Sequence, residues 1–127
     1  MSNYDLSQQP APSSCRIIDF DKAQVVPGIV NNTWILVVRG QKPCINMEVM
    51  LLPVYYIKCP EYWRWEVIGC LPGGICLPAI DNYTASHELG SAIGSEGIEV
   101  VGANQSVKIE VSGGCCDGAL KVQFAQE

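Results

Sequence analysis

The chain has 127 residues, the length of one ordinary domain, enough to bury a core without a metal or covalent staple. Apolar residues make up 48% and charged residues 17%, a balance that excludes a disordered chain. The net charge is -5 and the eight Lys and Arg are scattered, which excludes the basic patch that DNA or RNA binding needs.

Residues 1–14 form a polar tail rich in Ser, Gln and Pro, expected to be loosely ordered or docked on a neighbour. The tail has neither a charged n-region nor an apolar h-region, so it does not read as a secretory signal, and the expectation is a soluble, cytoplasmic protein with reduced cysteines. Residues 15–127 then read as one domain. The apolar stretch 50–57 is too short to cross a bilayer and carries Pro53, so no membrane partner is expected.

From residue 15 the dominant period is two. Residues 15–20 (CRIIDF) are a short strand. Residues 32–39 (NTWILVVR) are a nearly continuous apolar run, as expected of a strand buried on both faces. Gly40-Gln41-Lys42-Pro43 reads as a turn. Residues 45–51 alternate, with Ile45, Met47, Val49 and Leu51 on one side and Asn46 and Glu48 on the other. Pro53 places a bulge or a sheet edge there, and residues 54–58 could continue the strand. Residues 62–70 are the next strand. Residues 71–95 are rich in Gly, Pro and Ser, and longer than an ordinary connection; they read as a functional loop or as unresolved edge strands. Strands at 97–101, 106–111 and 120–124 follow.

No segment carries a 3.6-residue apolar period. Short strands separated by Gly/Pro turns predict an all-β antiparallel sandwich of about seven or eight strands. Strand count and alternation resemble immunoglobulin-like sandwiches, which implies that fold and no particular function.

Residues 60–78 (PEYWRWEVIGCLPGGICLP) are the densest stretch. Trp63, Trp65 and Val67 share one strand face, and Arg64, Glu66, Ile68 and Cys70 share the other. An indole pair opposite an ion pair predicts a half-buried strand with its rings in the core. The competing reading is a carbohydrate-binding platform built from Trp63, Trp65, Tyr55, Tyr56, Tyr62 and Tyr83. A glycan partner then accompanies the aromatic set. Pro72-Gly73 suits the centre of a type II turn. A three-residue loop at 72–74 would set Leu71 opposite Ile75 and Cys70 opposite Cys76, a candidate redox pair. Cys115 and Cys116 are a second thiol candidate, for redox or a soft metal. The seven cysteines include no Cys-x2-Cys, so a zinc site has weak support.

Asp19 and Asp21 share a strand face and could join Asp81 or Asp117 as oxygen ligands for calcium, though no calcium-loop motif is present. His87 has no catalytic motif around it, so no catalytic residue is assigned and no cofactor is expected. Three sequons, beginning at Asn31, Asn82 and Asn104, read first as turns, because Asn, Ser and Thr bond local backbone.

The expectation from sequence is a non-enzymatic β-sandwich that binds another protein or its own copies. Its apolar runs at 34–38 and 49–57 exceed what one small core hides, and the 49–57 edge with its tyrosines is the expected contact. The alternatives are the carbohydrate-binding module and a small thiol redox or metal-responsive protein.

Overall fold

The structure is a computed structural model that describes residues 14–112 and 114. The strand expected at 120–124, the pair Cys115 and Cys116, and Asp117 lie outside the described residues. The strands are β1 (Ser14–Ile17), β2 (Lys22–Pro27), β3 (Trp34–Cys44), β4 (Glu48–Pro53), β5 (Tyr62–Leu71), β6 (Pro78–Glu88), β7 (Gly97–Val101) and β8 (Ser106–Glu110). No α-helix occurs among the described residues, as the absence of a helical period predicts.

The strands form two open sheets and no barrel. The first runs β1-β5-β7-β8, with β4 on the other side of β5; the second runs β2-β3-β6. β5 is long enough to serve three neighbours: β4 along Trp65–Cys70, β1 at Ile68–Leu71 and β7 at Tyr62–Glu66. The β5–β7 pair is parallel, a departure from the all-antiparallel expectation. Its cause is topological. β6 leaves for the second sheet, so β7 re-enters the first sheet in the direction of β5, as a crossover connection requires.

Both sheets contribute to one apolar cluster. Ile18, Leu51, Trp65, Val67, Ile98 and Val100 enter it from the first sheet and its flanks; Leu36, Val38, Tyr83 and Ala85 enter it from the second. On β5 the expected parity holds for Trp65 and Val67, which are buried, and for Arg64, Glu66 and Ile68, half-buried on the opposite face; Trp63 is only half-buried, and Cys70, expected on the outer face, is buried by its pairing with β1. Trp65 is 1% exposed, and its indole N–H donates to the Ala92 carbonyl at 3.0 Å, which satisfies the one polar atom the ring carries inward.

Several expectations at element level are corrected. β3 runs straight through the turn expected at 40–43, because β6 pairs with it from Ile35 to Cys44. Gly40 is there for space: a β-carbon would meet the hydroxyl of Tyr83, its cross-strand partner. β3 is also not buried on both faces, since Ile35 and Val37 are only half-buried. Ile45 does not join Met47 and Leu51. A turn closed by Met47 N–H to the Cys44 carbonyl at 3.0 Å resets the strand phase and leaves Ile45 outside. The segment 71–95, read as irregular, contains the eleven-residue β6, and β2 was not anticipated. Residues 54–58 do not continue a strand.

The hairpin expected at 70–76 is absent. Gly73 does take φ 73° and ψ 0°, the values a type II turn asks of its third residue. The chain then leaves for the second sheet, so Leu71 pairs with Ser14 on β1, and Cys70 and Cys76 are not partners. Cys70 is bridged to Cys15 across the β1–β5 ladder, and Cys76 to Cys44 at the end of β3. Cys59 is disulfide-bonded as well. Pairing of β1 with β5 in the first sheet brings Cys15 to Cys70, and the crossing of the chain to the second sheet brings Cys76 to Cys44, partners far away in sequence that local turn geometry does not reveal. The bridges correct the expectation of reduced cysteines in the cytoplasm and point to an oxidising compartment.

Candidate interaction surface

Several of the exposed large apolar side chains lie along β4 and the loop after it. Leu51 faces the core, so Glu48, Met50 and Leu52 face outward. The register sets Met50 beside Ile68 and Leu52 beside Glu66 on the outer face of the first sheet, and Ile17 flanks Ile68 from β1. This part of the face is apolar, and the Arg64–Glu66 ion pair, at 3.0 Å, borders it. Pairing β4 only to β5 leaves its second edge without a hydrogen-bonded strand among the described residues, although β6 lies in contact with β4.

The phase of that edge follows from one bond. Val54 N–H donates to the Arg64 carbonyl at 2.9 Å, so alternate backbone groups back along β4 turn toward β5 and those of Val49 and Leu51 turn to the open side. Pro53, with no N–H to offer, falls on the open side, where a proline costs no ladder bond. Beyond it the chain carries Tyr55 at 87% and Ile57 at 93% exposure. Tyr56 packs edge-on against Trp63, ring centroids 5.1 Å apart, and the Trp63 indole donates to the Val54 carbonyl at 2.8 Å. The loop therefore hangs from β5 by an aromatic contact while its own Tyr55 and Ile57 stay outside.

A second apolar group sits at the start of β4. Ile45 N–H donates to the Leu77 carbonyl at 3.0 Å. Asn46 bonds the same segment twice, its amide donating to the Ile75 carbonyl and its oxygen accepting from Leu77 N–H. Together with the Cys44–Cys76 bridge these bonds hold Ile45, Ile75 and Leu77 exposed in a fixed arrangement. No charged residue occurs between Leu71 and Ile80.

The aromatic candidates divide. Trp65 and Tyr83 lie in the core and offer no open ring face. Tyr83 donates its hydroxyl to the Asp19 carbonyl at 2.8 Å, and burial, helped by Asp21 and Asp19, pushes its pKa up to about 12. Tyr62 lies under the Lys108 ammonium, 5.0 Å from the ring centroid. Desolvation, followed by the Glu110, Glu96 and Glu61 carboxylates, raises the Tyr62 pKa. Of the six aromatics only Tyr55 is strongly exposed; Tyr56 and Trp63 show part of their surface beside it.

The carboxylates do not converge. Asp19 accepts from the backbone N–H and the side-chain amide of Asn104, both at 2.7 Å, and the amide bond is the main cause of its lowered pKa. Asp81 accepts from Asn82 N–H. No group of three or more His, Cys, Asp or Glu among the described residues is placed to hold a metal ion. His87, exposed, leans its ring on Trp65 with centroids 5.2 Å apart. No helix among the described residues is long and apolar enough to cross a membrane.

Sequence reasoning singled out the 49–57 edge but missed Ile45, Ile75 and Leu77. The signal available was the uncharged run from Leu71 to Ile80, read only as turn composition. Compared with protein-family models, curated proteins and solved structures, the chain matches none.

Proposed function

We propose that this protein is a single-domain β-sandwich that works by protein–protein contact, associating with its own copies through the β4 edge and the loop after it. The sandwich reading draws on the single apolar cluster fed by both sheets and on the contact between Trp65 of one sheet and His87 of the other. The observation that carries the binding reading is the exposed row Met50, Leu52, Tyr55 and Ile57 beside an edge strand. Large apolar side chains collected at a sheet edge mark a surface that a partner covers.

A two-fold contact of this surface with itself buries the same residues on both copies and needs no second protein. β4 also lacks the lysines that commonly guard an edge against pairing, and its only charge is Glu48. Sedimentation at high micromolar concentration tests the reading. The expected result is a dimer or higher assembly that Leu52→Lys shifts to monomer without lowering the unfolding temperature. A monomer for the unaltered chain at that concentration overturns it. A glycan-array signal abolished by Tyr55→Ala would transfer the same surface to the carbohydrate-binding reading.

A further inference from the structure

We propose that Asn31 and Asn82 are N-glycan acceptors and that Asn104 stays bare. The disulfides place the sequons in a compartment where they can act, because the one that oxidises cysteines in nucleated cells is also the one that transfers N-glycans. The structure then separates the three sites. Asn31 lies in the tight turn between β2 and β3, exposed, and its amide makes no hydrogen bond among the described residues, while the Thr33 hydroxyl of the same sequon donates to the Val30 carbonyl. The neighbouring Ile29 and Val30 are exposed on the same tip, apolar surface that the first sugar residues would cover. Asn82 is not in a turn. It lies in β6 with its side chain exposed and its amide unbonded among the described residues, on the face opposite that of Tyr83 and Ala85. Thr84, the third residue of its sequon, is exposed beside it.

Asn104 differs in kind. Its amide nitrogen is the donor to Asp19, and the turn around it is pinned again by Gln105, whose amide donates to the Phe20 carbonyl. A sugar on that nitrogen replaces one of its two hydrogens and would have to be accommodated beside the bond to Asp19.

The reaction requires an oligosaccharide carried on a lipid diphosphate. The Asn amide nitrogen attacks the anomeric carbon, a C–N bond forms, and the anomeric C–O bond breaks. The lipid diphosphate leaves with the electron pair, and the amide proton passes to a base of the transferring enzyme. Both proposed acceptors belong to the second sheet, Asn31 at its hairpin tip and Asn82 on its edge strand β6.

The test uses protein isolated from its own source. It is treated with a glycan-releasing amidase in heavy-oxygen water and peptide-mapped with the disulfides intact. Release converts each glycosylated Asn to labelled Asp. Label at Asn31 and Asn82 with none at Asn104 is the expected pattern. Absence of label at Asn31 or Asn82, or label at Asn104, overturns the proposal. In the same cells Thr33→Ala and Thr84→Ala should each remove one glycan-sized step in gel mobility and Ser106→Ala none; an unchanged ladder for either threonine variant also overturns it.

Discussion

At the scale of single residues, Trp65 and Tyr83 show how an amphipathic aromatic becomes structural. Each buries its ring and spends its polar atom on a backbone carbonyl, Ala92 for the indole and Asp19 for the phenol. Trp65→Ala should cost about 3–5 kcal/mol in urea unfolding, the range for a large core side chain, whereas Tyr55→Ala, at 87% exposure, should leave stability nearly unchanged. Tyr83 also predicts a pH dependence. An unfolded tyrosine gives up its proton near its ordinary value of 10.0, but the folded one holds it to about 12. Below the lower value both states are protonated and the stabilising contribution is complete. As pH rises through the window the unfolded chain binds fewer protons, so stability falls. Tyr83→Phe should flatten that alkaline slope and lose about 1 kcal/mol at neutral pH; unfolding free energies measured across the pH series decide it. The parity of the β5 tryptophans was readable because alternation of side chains along a strand is a local property. The alternation could not say that Trp63 stops at half-burial, since that depends on Tyr56 and the loop folded over it.

At the scale of elements, local pattern identified β7, β8 and nearly all of β5 and failed for β6. β6 is PAIDNYTASHE, with few strand-forming residues and mostly exposed side chains; its core contribution comes from Tyr83 and Ala85. Its pairing with β3 from Ile35 to Cys44 holds it extended where propensity would not. The turn expected at 40–43 is overridden by the same ladder. The bridges act between elements in a similar way. They close segments with sequence separations of 55 and 32 residues, for which chain-entropy reasoning assigns about 4 kcal/mol each. Replacing Cys15 and Cys70 together by Ser should therefore lower stability by about that amount. The Cys44/Cys76 double replacement should in addition free Ile75 and Leu77, read as faster backbone hydrogen exchange around Leu77 than in the Cys15/Cys70 variant.

At the scale of the whole molecule, peptide mapping without reduction should yield Cys15 joined to Cys70 and Cys44 joined to Cys76. A Cys70–Cys76 peptide would mean that β5 turns back on itself instead of crossing to the second sheet. The sequence by itself determined the all-β class, the inward parity of Trp65 and Val67, and an apolar excess along 49–57, because strand alternation and composition are written in neighbouring residues. Only the tertiary structure decided the parallel β5–β7 pair, the bridge partners, the exposure of Ile45 and Ile75, and which sequon amides are engaged. Each of these depends on which distant segment lies alongside. That is set by how two twisted sheets share one core, where residues dozens of positions apart come within bonding distance and immediate neighbours are sent to opposite sheets.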